Sequence, residues 1–438
     1  MHTKVSKELL AFLQKSPSCF HAIQAMKEEL ENAGFEELLE GRSWSLAAGK
    51  SYYVVRNGSS IIAFKIGKTI EDYSFNIVAS HSDSPCFKIK ENAELEVKGK
   101  YTKLNTEGYG GMLCSTWLDR PLSIAGRVIV KKDNTYETRL VNIDRDLLLI
   151  PNVAIHMNRQ VNNGFAYNLQ VDTIPLFSTD TKDNLYKQLL AKELNVAMED
   201  IYGSDLYLYN RTHPSIWGAN QEFISSPRLD DLQCAFSSLK ALLDSSQDKS
   251  INVYCCFDNE EVGSGTKQGA ASTFLYDTLQ RINTALGKSQ EEYYRAIASS
   301  FMISADNAHA VHPNHPEKTD EKNCVYMNEG IVIKFSANQK YTTDAVSEAL
   351  FKGYCEKANV PVQYFHNRSD AAGGSTLGNI SSTKVSVNMV DIGLAQLAMH
   401  SSYETAGIKD TLYLINVLKE FYSSHVKESA SGSLSVVK

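Results

Sequence analysis

Several features are scarce or absent in this chain of 438 residues, and each absence excludes a class of protein. The eight cysteines are scattered and form no CxxC pair, which disfavours a disulfide framework or a cysteine metal site. Small buried thiols in a reducing cytoplasm are predicted instead. Positive charge is not in excess either, because 44 Lys and Arg residues stand against 51 Asp and Glu residues. The net charge of -7 argues against partners such as nucleic acid or an anionic membrane.

Long apolar segments are also missing. The first ten residues lack the apolar core of a signal peptide and are typical of an amphipathic helix. No uninterrupted apolar stretch is long enough to span a bilayer, so we expect no membrane association and a cytoplasmic location. The length exceeds what a single hydrophobic core usually supports, and more than one domain is expected.

The pattern of the chain changes twice. Residues 94–226 contain short alternating β segments with one helical stretch, Thr181–Leu194, which is typical of an inserted β-rich domain. Before and after it, helices and short buried strands alternate. We therefore predict a discontinuous catalytic domain, residues 1–93 and 227–438. Its fold class is α/β, with a mixed sheet flanked by helices on both faces.

Apolar periodicity predicts the main elements of the second part of the catalytic domain. The predicted strands and helices are Leu232–Leu243 (helix), Val253–Phe257 (strand), Phe301–Ala305 (strand), Thr342–Ala358 (helix), Val385–Val390 (strand) and Thr411–Ser423 (helix). A further helix is predicted to start within Leu394–His400. The Ser-rich tail, Glu428–Lys438, is expected to be frayed.

The most informative pair is Glu260-Glu261. It follows the apolar run 251–257, which has the composition of a buried strand, and it precedes a glycine-rich loop. Sites in open α/β sheets are built at the carboxyl ends of strands. Two adjacent carboxylates there suggest one residue that holds a metal and one that moves a proton. The alternative is a solvated pair of glutamates in a turn.

Other potential ligands also follow predicted strands or begin a helix. They are His81 with Asp83, Asp306, His400 and the pair Asp230-Asp231. Taken singly, each has a structural alternative, such as a helix cap, a turn residue or a hydrogen-bonded histidine. Together, two histidines and several carboxylates without thiolates suit zinc, and also manganese or cobalt. One aspartate can bridge two metals about 3.5–4 Å apart.

Motifs along almost the whole chain carry a family resemblance. They are Ser16-Pro17-Ser18, His81-Ser82-Asp83-Ser84-Pro85, Tyr109-Gly110-Gly111, Ile150-Pro151-Asn152-Val153-Ala154-Ile155-His156, Arg228-Leu229-Asp230, Asp258-Asn259-Glu260-Glu261-Val262-Gly263, Asp306 with His309 and His312, Gly374-Ser375-Thr376-Leu377-Gly378, and Met399-His400-Ser401. On these motifs the chain resembles the M18 family of metallo-aminopeptidases, the aspartyl aminopeptidase family.

The resemblance implies a zinc-exopeptidase fold with two zinc ions per chain, and removal of an N-terminal Asp or Glu from short peptides. It assigns five metal ligands: Asp230 as the bridge, His81 and Asp306 at one ion, and Glu261 and His400 at the other. It also implies that Glu260 is the general base of hydrolysis and that Asp83 orients His81.

The resemblance further implies residues that bind substrate. Lys334 and Tyr341 fall in a segment that lines the substrate pocket, although a strand lysine and a packing tyrosine remain alternatives. His156, in the inserted domain, is expected to reach the active site of a neighbouring subunit. A homo-oligomer is therefore implied, with a dodecamer as the candidate assembly and the inserted domain as its oligomerisation unit.

Two positions depart from the family pattern. Asp231 stands where the family commonly has Asn, and an extra acid there could change metal affinity. Tyr403 stands where some members have Arg, so a broader, non-acidic specificity is an alternative. Two other function classes stay open: a non-catalytic binding protein of this fold, and a deacylase or carboxypeptidase on a related scaffold.

Overall fold

The computed structural model describes residues 1–246 and 248–437. Its α-helices are α1 (His2–Lys15), α2 (Cys19–Asn32), α3 (Leu185–Leu194), α4 (Leu229–Asp244), α5 (Phe274–Ala285), α6 (Gln290–Ala298), α7 (Ala345–Ala358), α8 (Leu377–Ser381) and α9 (Asp410–Tyr422).

The strands of the same residues form three sheets and a hairpin. They are β1 (Glu36–Leu38), β2 (Ser51–Arg56), β3 (Ser60–Ile66), β4 (Phe75–His81), β5 (Cys86–Val97), β6 (Tyr101–Tyr109), β7 (Leu122–Lys132), β8 (Thr135–Asn142), β9 (Leu176–Ser178), β10 (Ile201–Asn210), β11 (Ser215–Trp217), β12 (Phe223–Ser226), β13 (Ile251–Phe257), β14 (Phe301–Ala305), β15 (Ala308–His309), β16 (Ile331–Phe335), β17 (Val362–His366), β18 (Asn388–Gly393), β19 (Ala395–Leu397), β20 (Glu404–Gly407), β21 (His425–Ala430) and β22 (Ser433–Val437).

The central sheet is mixed and has the strand order β1-β2-β3-β13-β4-β14-β18-β16-β17. Its four middle strands, β13, β4, β14 and β18, run parallel to one another. Every residue of β4, β13 and β14 is buried, as expected for parallel strands that helices cover on both faces. The predicted α/β class with a mixed sheet is confirmed.

Two hydrophobic layers hold the helices against this sheet. One layer contains apolar residues of α1, α2, α4, α7 and α9, which cover one face. The other contains residues of α5 and α6 and covers the opposite face. Each strand therefore contributes alternate side chains to the two layers, and its ends are left free to carry polar groups.

The second sheet is antiparallel, in the order β8-β7-β10-β5-β6-β9, and has a hydrophobic core of its own with α3. Its strands run from Cys86 to Asn210, whereas β11 and β12 join a third sheet with β20, β19 and β15. The division into residues 94–226 and the remainder stays a prediction. Strand membership would set its edges nearer to Cys86 and Asn210.

Two local predictions were wrong. The helix predicted from Leu394 is instead β19 and a loop, because β19 pairs with β15 and β20, and Ala398 and His400 have left-handed backbone angles. The tail is not frayed over its described residues. The strands β21 and β22 pair, and Val426, Leu434 and Val436 pack against the core. Lys438 lies outside the described residues.

Within residues 1–246 and 248–437, no helix combines the length and apolar character that crossing a membrane requires. The eight cysteines are free thiols.

Candidate active site

Three neighbouring parallel strands deliver polar side chains to one edge of the central sheet. His81 is the last residue of β4 and lies opposite Phe257, the last residue of β13. Glu260 and Glu261 follow β13 directly in a short 3-10 turn, and Asp306 follows β14. Because these strands run in the same direction, their carboxyl ends meet, and the side chains gather where sites of open sheets are found.

Asp230 lies at the centre of this group. It is in the non-helical first turn of α4, where its backbone angles are φ -81° and ψ 112° and its peptide bond to Asp231 is cis. Its Oδ1 atom is 3.5 Å from Nε2 of His81, and its Oδ2 atom is 3.5 Å from Nε2 of His400. The two oxygens of one carboxylate therefore face two different histidines.

A further carboxylate accompanies each histidine. Oδ1 of Asp306 is 3.9 Å from Nε2 of His81, and Oε2 of Glu261 is 3.2 Å from Nε2 of His400. Potential ligand atoms of Asp230, Glu261 and His400 all lie within 4.8 Å of one another, as do those of His81, Asp230 and Asp306. The five predicted ligands thus form two groups that share Asp230.

The donor set fits zinc. Ligand atoms bound at about 2.0–2.1 Å to one tetrahedral ion lie roughly 3.3 Å apart, close to the spacings at His81 and His400. Oδ1 of Asp230 and Oε1 of Glu261 are buried without a hydrogen-bond partner among the described residues. Such atoms are costly unless a cation or donor satisfies them. Imidazole and carboxylate ligands without thiolates suit zinc and neighbouring divalent metals.

The charges of the cluster also favour a bound metal ion. Burial raises the pKa of Glu260, His81 opposes the rise, the nearby Asp306 and Glu261 carboxylates add to it, and the net pKa is about 9. Burial likewise raises the pKa of Glu261 to about 7. Burial lowers the pKa of His400, but its hydrogen-bonding carboxylates outweigh this and raise it to about 11. A bound dication would offset the electrostatic repulsion between carboxylates that are crowded in this way.

Asp83 connects His81 with the glutamate pair. Its two carboxylate oxygens accept hydrogen bonds from the backbone N–H groups of Glu260 (3.1 Å) and Glu261 (3.2 Å). Nδ1 of His81 lies 3.1 Å from the carbonyl oxygen of Asp83. Because a carbonyl oxygen can only accept, Nδ1 of His81 carries a proton, and Nε2 is the ring nitrogen that can bind a metal.

A cavity of about 300 Å³ opens over the cluster. Lys334 and Tyr341 line it, as do Phe365 and Met399. Lys334 is buried, and its Nζ atom donates to the carbonyl oxygen of Asn307 at 2.8 Å and lies 3.7 Å from Oδ2 of Asp306. Both residues predicted to bind substrate from the pocket segment therefore reach the cavity wall.

His156 and Tyr403 lie away from this cavity. His156 is exposed in a loop of the β-rich region and is not among the residues that line the cavity of the single chain. The hydroxyl of Tyr403 donates to the carbonyl oxygen of His213 at 2.7 Å and lies 3.1 Å from Oγ of Ser215. Tyr403 therefore contacts His213 and the first residue of β11, Ser215, and it is not part of the cavity wall.

Asp231, the other departure, is buried directly behind the cluster. Its Oδ2 atom accepts a hydrogen bond from the backbone N–H of His81 at 3.0 Å, and its Oδ1 atom has no partner among the described residues. Burial raises its pKa well above the ordinary value of an aspartate. Asp231 therefore holds the backbone of His81 and adds one more acid next to Asp230 and Asp306.

Sequence reasoning missed Glu404, on β20. This buried carboxylate accepts hydrogen bonds from the backbone N–H groups of Asp230 (3.0 Å) and His400 (2.7 Å), so it fixes two of the predicted ligands at once. The only feature of the sequence that could have indicated Glu404 was its position four residues after His400. Asn307 was also missed. Its side-chain amide donates hydrogen bonds to the side-chain oxygens of Gln233 and Gln396 beneath the cluster.

A buried cluster of histidines and carboxylates at the carboxyl edge of a mixed sheet defines a metal-dependent hydrolase. Comparison with known proteins identifies the family. The model of the family described as aminopeptidase I zinc metalloprotease (M18) matches residues 12–422. The chain belongs to the M18 family of zinc aminopeptidases, and the predicted resemblance is confirmed.

Relatives and solved structures agree with this assignment. The chain is 48% identical over 427 residues to a probable M18 family aminopeptidase 2 of Clostridium novyi, covering 96% of this chain and 99% of the relative. It is 47% identical to a probable M18 family aminopeptidase 2 of Clostridium acetobutylicum, over 95% and 98% of the two chains.

Among solved structures, the chain is similar to one of a complex of Ape4 and Nbr1, with a TM-score of 0.93, 35% identity and coverage of 96% and 86%. It is also similar to a structure of the S. cerevisiae mApe1 dodecamer, with a TM-score of 0.84, 26% identity and coverage of 95% and 96%. The chain is accordingly a metallo-aminopeptidase, a hydrolase that acts on peptide ends.

Proposed function

We propose that the protein is a binuclear zinc aminopeptidase that prefers an acidic N-terminal residue. The observation that carries the proposal is the position of Asp230, whose two oxygens face His81 and His400 separately. Asp230 would bridge two zinc ions, with manganese or cobalt as alternatives. His81 and Asp306 would complete one site, and Glu261 and His400 the other.

Glu260 is the proposed general base. When bound, the zinc ions would polarise the scissile carbonyl and lower the pKa of the attacking water. Glu260 lines the cavity beside the ligands, and its backbone N–H is held by Asp83. It would take a proton from the water and deliver it to the departing amine, so that water and peptide yield an amino acid and a shortened peptide.

The acidic cavity explains why an N-terminal residue would be selected. A free α-amino group is protonated, and it gains charge-assisted hydrogen bonds among carboxylates such as Glu260 and Glu261. A substrate with a blocked amine would lose these contacts. This difference separates the proposed aminopeptidase from a deacylase on a related scaffold.

Lys334 is the proposed determinant of acidic specificity. It is the single lysine or arginine among the described residues that line the cavity. Its ammonium group lies 5.6 Å above the ring centre of Tyr341, within a buried wall. Once a metal balances Asp306, the positive charge of Lys334 would be available to a substrate, and Tyr341 lines the same cavity with its hydroxyl-bearing ring. A substrate carboxylate would accept hydrogen bonds from both.

We further propose a homo-oligomer in which His156 acts in the site of a neighbour. The similarity to the mApe1 dodecamer supports this assembly. The loop that carries His156 exposes apolar side chains, with Val153 53%, Ile155 48% and Met157 78% accessible. Apolar residues exposed together usually mark a surface that another protein covers. Action on short peptides in the cytoplasm stays a prediction.

The first prediction concerns the base. Glu260→Gln keeps the shape of the side chain but cannot accept the proton, so kcat is expected to fall by about 10²–10⁴-fold. Turnover of an aspartyl anilide measures it, with zinc content checked by elemental analysis. Glu291→Gln, an exposed change on α6, serves as the matched control. Full activity of the Glu260→Gln variant with zinc bound would rule out the assignment.

The second prediction concerns specificity. We expect kcat/KM for peptides that begin with Asp or Glu to exceed that for Leu or Ala. Lys334→Met should lower the value for Asp by roughly 10- to 100-fold, because a hydrogen bond to a charged group contributes about 1.5–3 kcal/mol. Lys340→Met, at an exposed neighbouring lysine, is the control. Equal kcat/KM for Asp and Leu in the unmodified enzyme would favour the broader specificity.

The third prediction concerns His156. A chain with His156→Gln and a chain with Glu260→Gln should each be nearly inactive alone. Co-expressed in one assembly, they should regain activity at roughly a quarter of the sites, where an intact Glu260 meets an intact His156 of a neighbour. Light scattering verifies the assembly. No recovery in verified mixed assemblies would contradict action between subunits.

A further inference from the structure

One short segment of the β-rich sheet touches both halves of the metal-binding cluster. The segment comprises residues 109–113, starts at the end of β6 and is called the Tyr109 segment below. We propose that it positions the metal ligands, with Tyr109 as its main positioning residue, so that zinc affinity depends on how the β-rich sheet docks. This inference rests on the proposed metal centre and goes beyond the role of that sheet in oligomerisation.

The first contact is made by Tyr109. Its hydroxyl donates to Oδ2 of Asp83 at 2.7 Å, and it accepts a hydrogen bond from Nδ2 of Asn259 at 2.8 Å. Asp83 in turn holds His81 and the backbone of Glu260. Tyr109 therefore closes a chain of hydrogen bonds that runs from the second sheet to the first histidine and to the proposed base.

The second contact is made by Gly110, which packs directly on the glutamate loop. Its φ angle is +73°, a backbone conformation that residues other than glycine rarely adopt. A Cβ atom added there would lie 3.2 Å from Cβ of Glu261 and 3.4 Å from Cβ of Pro85. The close approach leaves Glu261 little freedom to move away from His400.

The third contact fixes His400. Its Nδ1 atom lies 2.7 Å from the carbonyl oxygen of Gly111, and its own carbonyl oxygen accepts a hydrogen bond from the N–H of Leu113 at 2.9 Å. Because the oxygen of Gly111 can only accept, Nδ1 of His400 must donate the proton. In the neutral imidazole that binds a metal, Nε2 is then the unprotonated nitrogen, and it faces Asp230 and Glu261.

The segment itself is anchored in the second sheet. Tyr109 packs edge-on against Tyr207 of β10, with ring centres 5.7 Å apart, and Lys88 of β5 lies over the ring of Tyr207. The position of the hydroxyl is therefore set by residues of the β-rich sheet. Ligands held in this way lose less freedom when the metal binds.

Tyr109→Phe tests the proposal, because it removes the hydroxyl and leaves the ring. Zinc affinity is expected to fall by about 10- to 100-fold, the usual effect of losing a partner that orients a ligand. Competition with a chromogenic chelator measures it. At saturating zinc, KM should stay close to that of the unmodified enzyme, since Tyr109 does not line the substrate cavity. Tyr101→Phe makes the same change at an exposed tyrosine at the start of β6 and serves as the control.

A second variant, Gly110→Ala, acts through packing against Glu261 and should also weaken zinc binding. The thermal unfolding of each zinc-free variant shows whether a change reflects only a loss of folding stability. Zinc affinity unchanged in Tyr109→Phe, or lowered equally in Tyr101→Phe, would overturn the positioning role. Failure of the unmodified chain to bind zinc would instead overturn the proposed function itself.

Discussion

Asp230 lies between His81 and His400, and the carboxylates of Asp306, Glu261 and Glu260 share the same buried edge of the sheet. So much negative charge out of water repels itself, and burial adds to the cost. Lys334 is the one lysine or arginine among the described residues that line the cavity, so its charge alone does not balance these carboxylates. The cluster is therefore best stabilised by bound dications, and the remaining contacts of the site act to keep these carboxylates in place.

Those contacts come from separate parts of the chain. Glu404 holds the backbone of Asp230 and His400 from the third sheet, and Asp83 holds the glutamate loop from the end of β4. The side chain of Asn307 joins the network beneath the cluster, and its carbonyl oxygen accepts from Lys334. Each hydrogen bond satisfies a buried polar group, and those of Glu404 also restrict two of the predicted ligands, Asp230 and His400. The same side chains thus satisfy buried polar atoms and set the orientation of the residues they contact.

The sequence was sufficient for the α/β class and for the side chains that gather at this edge of the sheet, because apolar runs that end in His, Asp or Glu mark strand ends. His81, Glu261 and Asp306 could be predicted in this way. The roles within the cluster came from family resemblance. Glu404 and Tyr109 could not be assigned, because the contacts of Glu404 with Asp230 and of Tyr109 with Asp83 depend on how separate sheets dock. The helix predicted from Leu394 failed because strand pairing with β15 and β20 overrides local periodicity.

The central claim is that Asp230 joins two metal ions in one centre. The most direct test is the zinc content of fully active protein, purified without added metal and analysed by mass spectrometry against protein concentration. The account predicts two zinc ions per chain, with Asp230→Asn retaining fewer. Full activity of the unmodified enzyme with one ion or none per chain would contradict it.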